Sequence, residues 1–354
     1  MFEQSVVLTS ALAFAAALFI SFVCTPVVKA FAYKIGAVDI PKDNRRMHKT
    51  PIPRVGGLAI FLGFIVSVLI FGRIDGDMKA ILLGSVIIVL LGIVDDVVTL
   101  KPSTKFIGQI AAALIPALGN VRVSLLTNPF KSGDYIQLGW LSIPITILWI
   151  VGMTNAVNFI DGLDGLACGV SSIASLTVFT IALLVSEPYV AIVMAALAGA
   201  CFGFLPYNLN PAQIFMGDTG SMFLGYVLAT LSITGLFKLY AIISFLVPFM
   251  ILGLPIFDTG FAIVRRLLKG QSPLKADRGH IHHRLVDMGF DQKQSVAILY
   301  AVSVVLGLAA VIFTTSGEMK IAIFTVAVLL CFFFAMNIKV NGKKHHDQEA
   351  KDEK

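Results

Sequence analysis

Apolar residues in this chain do not recur at the spacing of an amphipathic helix or strand. They run nearly unbroken and then stop at short polar clusters. Runs over roughly 5–24, 55–71, 79–94, 104–119, 141–158, 165–185, 189–207, 219–236, 239–264, 295–315 and 319–338 each approach the ~20 residues that a helix needs to cross a hydrocarbon core. The pattern predicts an all-α polytopic membrane protein with about eleven transmembrane helices. The second and third runs are divided only by the turn Gly72-Arg73-Ile74-Asp75-Gly76-Asp77. No internal repeat of the kind that builds many transporters is visible.

An odd number of spans puts the termini on opposite faces, and basic residues choose the orientation because they collect on the cytoplasmic side. The segments 29–54, 95–105, 265–294 and 339–354 hold 7, 2, 7 and 5 Lys or Arg residues, 21 of the chain's 27. Arg73, Lys79, Arg122, Lys131, Lys238 and Lys320 fall on the other side. The expectation is an N-terminus outside, a C-terminus in the cytoplasm and a multi-pass protein of the plasma membrane. Residues 1–338 form one integral-membrane domain. Residues 339–354 read as a charged, disordered tail, with His345-His346 solvated.

Composition narrows this further. With 57% hydrophobic and 14% charged residues over 354 positions, and a mean hydropathy of +0.88, a soluble globular domain is excluded, since such domains carry about 25% charged residues. Cys24, Cys168, Cys201 and Cys331 lie singly in apolar runs and read as small hydrophobes. The first run lacks a basic start and a small-residue cleavage site, so it reads as a retained helix. The partners implied are the lipid bilayer and what it carries; no nucleic-acid partner is expected.

The polar interruptions are concentrated on one face. Asp95-Asp96, the cluster Asn155/Asn158/Asp161/Asp164, Asp218 and His280-Ile281-His282-His283 all fall in loops that alternation puts on the cytoplasmic side, which places an active site there. Asn155 and Asn158 are three residues apart and so share a helix face. Gly162 and Gly165 then loosen the backbone, and Asp164 is placed to cap the next helix. Caps and a polar turn are the plain reading of this stretch, but four amides and acids exceed what capping needs.

Asp95 and Asp96 close the third run, where acids oppose the helix dipole. Adjacent residues point about 100° apart on a helix, so the pair serves different partners rather than one ion. Lys105 opens the next run. Asp218, in Phe215-Met-Gly-Asp218-Thr-Gly-Ser221, reads either as an N-cap or as a ligand. Mg²⁺ takes one or two carboxylates plus water and phosphate oxygens, and Asp218 with Asn158 and Asp161 would supply that set.

The histidine run lacks the further ligands that zinc would want. With Arg265, Arg266, Arg278 and Arg284 it reads instead as a nest of donors for phosphate or sugar oxygens, although Arg265 and Arg266 also suit a helix C-terminus. The segment Arg45 to Gly57, with His48 and Lys49, is basic and proline-stiffened; it reads either as part of the cytoplasmic excess of positive charge or as a holder of an anionic lipid headgroup or a nucleotide phosphate. Asp258 lies two turns from the end of its run, either functional or paired with a basic neighbour. The segment 265–294 reads as a short, partly folded element at the interface.

Taken in order, these motifs resemble the polyprenyl-phosphate N-acetylhexosamine-1-phosphate transferases, from about Asp39 to Leu285. The resemblance implies that a polyprenyl phosphate attacks the β-phosphorus of a UDP-N-acetylamino sugar and releases UMP. It implies Mg²⁺, with Mn²⁺ as a substitute, held by Asp218 and Asn158. Asp95 matches the acid that acts on the lipid phosphate, and Lys105 matches a lysine near the pyrophosphate; Asp96 and Asp161 are candidate catalytic acids from their own place in the clusters. Phe215 and Asp164 match uracil contacts. His280, His282 and His283 match a loop at the sugar-phosphate end; Asn155, His48, Lys49, Arg265 and Arg266 are further candidate substrate contacts on their own position and charge.

The His-Ile-His-His-Arg form resembles the branch that uses UDP-N-acetylglucosamine, not the muramoyl-pentapeptide branch with its Pro-x-His-His-His. Undecaprenyl phosphate is then the acceptor, a cell-envelope glycan such as wall teichoic acid the product's destination, and a homodimer the expected assembly. Two rivals remain. A CDP-alcohol phosphotransferase would continue Asp-Gly into further acids that this chain lacks. A transporter or flippase would place its polar residues near the midplane on broken helices.

Overall fold

The computed structural model describes residues 2–40, 51–127, 135–235, 243–268, 270 and 280–315. Its helices are α1 (Phe2–Lys34), α2 (Gly57–Phe71), α3 (Gly76–Val98), α4 (Pro102–Leu118), α5 (Ser142–Ile160), α6 (Leu166–Leu184), α7 (Pro188–Asn208), α8 (Gly217–Gly235), α9 (Ile243–Ile251), α10 (Gly253–Leu268), α11 (Ile281–Asp287) and α12 (Gln292–Thr314). Six of the described helices, α1, α3, α5, α6, α7 and α12, are long and apolar enough to cross a membrane, and α2 is a shorter apolar helix. The protein is an all-α polytopic membrane protein. The expected spans for residues 319–338 and the tail 339–354 lie outside the described residues.

The helix ends follow local chemistry. Asp75 sits just before α3 and accepts the Met78 N–H at 3.0 Å, so the short turn after α2 separates two distinct helices through a side-chain cap. The run 239–264, expected as one span, is broken at Leu252 into α9 and α10. Pro255 has no N–H to offer the Ile251 carbonyl, which interrupts the ladder at that turn. The first helix also runs on to Lys34, ten residues past the expected end. Two small antiparallel ladders complete the fold, β1 (Val38–Asp39) with β2 (Ile52–Pro53) and β3 (Leu125–Thr127) with β4 (Tyr135–Gln137).

Helix α8 is the axis of the bundle. Nearly every residue from Gly217 to Gly235 is buried, and α8 packs on α2, α3, α5, α6 and α7. A helix apolar all round with no solvent face belongs inside a bundle. Glycines let its neighbours approach: a Cβ on Gly57 of α2 would fall 2.0 Å from the Gly220 Cα, and one on Gly92 of α3 would fall 2.4 Å from the Thr219 Cα. Small residues at such crossings favour van der Waals packing where lipid offers no hydrophobic drive. Around this axis α1 lies against α2 and α7, α12 against α6 and α9, and α10 against α5. Exposed Phe19, Val27, Leu148 and Phe261 face outward, where the acyl chains would lie.

Candidate active site

Alternation of the helices brings the C-terminal ends of α3 and α5 and the N-terminal ends of α4 and α8 to one end of the bundle, and the expected acids meet there. Lys105, in the first turn of α4, places Nζ 2.7 Å from Asp95 Oδ2 and 3.1 Å from Asp218 Oδ2. Asn158 Nδ2 donates to Asp218 Oδ1 and to Ser221 Oγ at 2.7 Å, and Ser221 Oγ donates on to the Gly217 carbonyl. Asp95 is almost fully buried, and its Oδ1 accepts the Leu100 N–H at 2.6 Å just past the end of its own helix. A lysine therefore bridges two carboxylates that would otherwise repel, and an amide supports the second of them.

Asp95 and Asp96 part company, as adjacent helical residues must. Asp96 was expected among the catalytic acids, yet its oxygens accept the backbone N–H groups of Asp218 and Thr219, both at 3.0 Å, and the Thr219 hydroxyl at 2.7 Å. Asp218 itself is not the N-cap of α8; it lies inside the first turn. Arg54, which the sequence places in the basic segment Arg45 to Gly57 without singling it out, brings Nε to 3.4 Å from Asp96 Oδ1. Burial works against the Arg54 charge, but the surrounding carboxylates of Asp96, Asp218, Asp39 and Asp161 hold its pKa above the ordinary value. Its cue was a charged residue two positions before the diglycine that enters α2.

Asn155 and Asn158 do share a face of α5, but they serve different neighbours. Asn155 Nδ2 donates to Gln109 Oε1 at 2.6 Å, and Gln109 Nε2 faces Met222 Sδ at 3.2 Å. Gln109 is buried in α4 and also escaped the sequence reading, although an amide within an apolar run was its signal. Asp161 follows the end of α5. Burial and the facing carboxylates of Asp218 and Asp96 push its carboxyl up to about 8, so it is largely protonated when no cation shares the site.

Asp164 does not cap the next helix. Gly165 takes that position with a left-handed backbone and no side-chain cap, while Asp164 Oδ2 accepts Asn210 Nδ2 at 2.9 Å and the Ala212 N–H at 3.1 Å. It thus ties the α5–α6 turn to the α7–α8 connection that carries Phe215. Phe215 in turn is bound to the strand before α2: its N–H donates to the Pro53 carbonyl at 2.8 Å, and its own carbonyl accepts the Gly56 N–H at 2.9 Å.

The histidine segment packs against the same end. Asp258, buried in α10, holds His280 Nδ1 at 2.9 Å with one oxygen and accepts the Ile281 N–H at 2.8 Å with the other. The basic-neighbour reading of Asp258 is the one the geometry shows. His280 and His282 stack with ring centroids 5.7 Å apart, and His282 and His283 lie 4.2 Å apart. The His282 ring lies on Gly162, where a Cβ would come within 2.3 Å of Nε2. Burial, with His283 beside it, pushes His282 down to about 4, so the ring is neutral at physiological pH. Arg265 and Arg266 end α10, with Arg266 buried. His48 and Lys49 lie outside the described residues.

The site suits a hard divalent cation. Asp218 offers a carboxylate, and a half-turn of the Asn158 amide would present its oxygen where its nitrogen now points, since the two ends are nearly equal in shape. Among the described residues no group of three or more His, Cys, Asp or Glu could hold a metal alone. A cation here would therefore complete its shell with water and substrate oxygens, which is the habit of Mg²⁺.

An all-α membrane protein with carboxylates, a bridging lysine and a histidine segment gathered at one end of the bundle is, by class, an integral-membrane enzyme. The comparisons then specify it. The model described as "Glycosyl transferase family 4" matches residues 78–236. The chain is 41% identical over 321 residues to the Bacillus subtilis (strain 168) protein named "Probable undecaprenyl-phosphate N-acetylglucosaminyl 1-phosphate transferase", covering 90% of this chain and 89% of that one. It is 36% identical over 330 residues to the decaprenyl-phosphate N-acetylglucosaminephosphotransferase of Mycolicibacterium smegmatis (84% and 81% covered). It is 32% identical over 305 residues to the phospho-N-acetylmuramoyl-pentapeptide-transferase of Desulfitobacterium hafniense (77% and 87% covered). The chain belongs to glycosyl transferase family 4, the polyprenyl-phosphate sugar-phosphate transferases.

Proposed function

We propose that this enzyme transfers N-acetylglucosamine 1-phosphate from UDP-N-acetylglucosamine to undecaprenyl phosphate, giving undecaprenyl-pyrophosphoryl-N-acetylglucosamine and UMP. The observation that carries this reading is the Asp95–Lys105–Asp218–Asn158 cluster at the bundle's end, in a chain 41% identical to a relative named for that reaction. A lipid phosphate oxygen forms a new bond to the donor's β-phosphorus. The bridging oxygen keeps the electron pair of the broken bond and leaves on the α-phosphate as UMP.

Phosphoryl transfer is mostly positioning and charge neutralisation, and the residues are suited to both. A lipid monoester has its second pKa near ~6, so it arrives largely as the dianion and Asp95 need only orient it or take a residual proton. Lys105, lying between Asp95 and Asp218, supports the pyrophosphate. Asp218 and Asn158 would hold Mg²⁺, or Mn²⁺ in its place. Once bound, the metal offsets the charge of the pyrophosphate. Phe215 and the remaining Asp164 oxygen form the uridine end, with Asn155, Arg265 and Arg266 lining the donor's path. The histidines, His280, His282 and His283, face the sugar-phosphate, and His48 and Lys49 add anion contacts. Asp161 supports the centre.

An apolar cavity of about 350 Å³ lies between α5 and α9–α10, lined by Leu148, Trp149, Gly152, Met153, Phe249 and Ile263 among others. It has the chemistry to receive the isoprenoid chain beside the site. We read the site as cytoplasmic from the Lys and Arg distribution, with about eleven spans, a homodimer as the assembly, and a cell-envelope glycan such as wall teichoic acid as the destination. The polar groups sit at helix ends rather than at mid-bundle, which disfavours a transporter.

The test is reconstitution of the purified protein with undecaprenyl phosphate, labelled UDP-N-acetylglucosamine and Mg²⁺. Label entering the lipid phase with stoichiometric UMP supports the reading. No transfer, in conditions where the Bacillus subtilis relative works, refutes it.

A further inference from the structure

We propose that Asp96 is a positioning residue that caps α8 from across the bundle and, together with Arg54, presents Asp218 without itself touching the reacting phosphates. The first N–H groups of a helix have no partner within it. In α8 those of Asp218 and Thr219 both point to Asp96, which stands 122 and 123 positions earlier in the chain. The Thr219 hydroxyl donates to the same carboxylate at 2.7 Å. Three donors from α8 and the Arg54 Nε at 3.4 Å occupy a side chain that is fully buried, while Arg54 keeps 31% of its side chain exposed. The carboxylate is thus consumed by protein, and Arg54 is the member of the pair that reaches solvent.

The backbone is built around this contact. Gly217 has φ +71°, and a Cβ there would stand 2.4 Å from Asp96 Oδ2. Only glycine combines that left-handed backbone with room for the carboxylate. The negative charge also lies at the positive end of the α8 dipole, which favours it. Asp96 therefore fixes where α8 begins, and Asp218, one residue on, inherits its position from that fixture. Thr219, wholly buried, is part of the fixture and has no route to substrate.

This inference rests on the reading of Asp218 as a cation ligand, and its test uses one readout that does not. Asp96→Asn keeps one acceptor oxygen and turns an amide N–H toward donors. The expected result is that the Mg²⁺ concentration for half-maximal turnover rises roughly tenfold or more, the scale of a lost charge-assisted hydrogen bond. Much of the rate returns at saturating Mg²⁺, and the pH profile keeps its shape. Thr219→Val should raise the Mg²⁺ requirement in the same direction by a smaller factor, and Thr219→Ser should restore it. Independently of turnover, hydrogen exchange at the amides of Asp218 and Thr219 should quicken about tenfold or more in Asp96→Asn.

Turnover abolished at every Mg²⁺ concentration, with Thr219→Val normal and the two amides still protected, would overturn the proposal and make Asp96 a direct participant. If the wild-type protein itself transfers nothing, the transferase reading fails. The exchange measurement then still decides whether Asp96 caps α8.

Discussion

Replacing Lys105 by methionine tests the electrostatic arrangement of the site most directly, because it removes the charge and keeps the apolar stem. Lys105 Nζ lies 2.7 Å from Asp95 and 3.1 Å from Asp218. At an effective dielectric of about 20, each contact is worth roughly 5–6 kcal/mol of gross Coulomb attraction. Desolvation of the three groups offsets much of that. Water screens part of the rest, since the Lys105 and Asp218 side chains keep 21% and 19% of their surface. Removing one partner of a buried pair costs about 3–5 kcal/mol, so this partly wet triad should lose roughly 2–3 kcal/mol.

The assay is equilibrium unfolding of the detergent-solubilised protein in metal-free buffer, run as a double-mutant cycle with Asp218→Asn. Lys105→Met should destabilise by the amount above. Adding Asp218→Asn should recover at least ~1 kcal/mol of it, because the uncompensated carboxylate is gone. Mg²⁺ should stabilise Lys105→Met more than wild type, since the metal then meets carboxylates with no competing ammonium. A Lys105→Met protein as stable as wild type, with no coupling to Asp218, would refute the view that the lysine holds this cluster together.

Asp258→Ala should release the histidine segment. Exchange in 281–287 should quicken tenfold or more, as the loss of a helix cap and a buried partner predicts, and KM for the UDP-sugar should rise more than kcat falls; unchanged exchange would count against the anchor. Asp161→Asn should stabilise the metal-free protein. The native carboxyl is pushed up to about 8, above its unfolded value near ~4, so its favourable contribution is complete below pH ~4 and is lost as pH rises to about 8. The melting temperature of Asp161→Asn minus that of wild type should therefore grow between those limits, and a difference independent of pH would contradict the assignment. Gly152→Trp should fill the cavity beside α5 and raise KM for the long-chain lipid more than for a short-chain analogue; equal effects on both would place the chain elsewhere.

Much of this architecture can be read from the chain because the bilayer imposes a simple rule. A helix must be apolar for its whole crossing, so the bounds of α2 to α8 fall within a few residues of the apolar runs. Alternation then carries Asp95, Lys105, Asn158 and Asp218 to one face without any knowledge of packing. The rule misleads where apolar character and helicity separate. Leu252 sits in an unbroken apolar stretch, yet Pro255 interrupts the ladder there. The first run ends at residue 24, just before Thr25-Pro26, yet the helix runs through to Lys34, with the Thr25 hydroxyl donating to the Ser21 carbonyl at 2.7 Å.

What could not be read is which polar group each polar group meets. A sequence gives Asp95 and Asp96 identical standing, and only the crossing of α3 with α8 distinguishes them. Gly92 admits the Thr219 backbone at that crossing, and one turn farther along α3 Asp96 receives the N–H groups of α8. Its neighbour, turned about 100° away, receives Lys105 instead. The same close packing that buries α8 therefore assigns one acid to structure and leaves the other to the site. The role of each carboxylate follows from where a glycine lets α3 and α8 cross, one turn before the acids themselves. A substitution such as Gly92→Ala, at a residue packed on the α8 backbone and holding no polar group of its own, should accordingly disturb Asp96 and Asp218 together, through a shift of α8 that no motif would reveal.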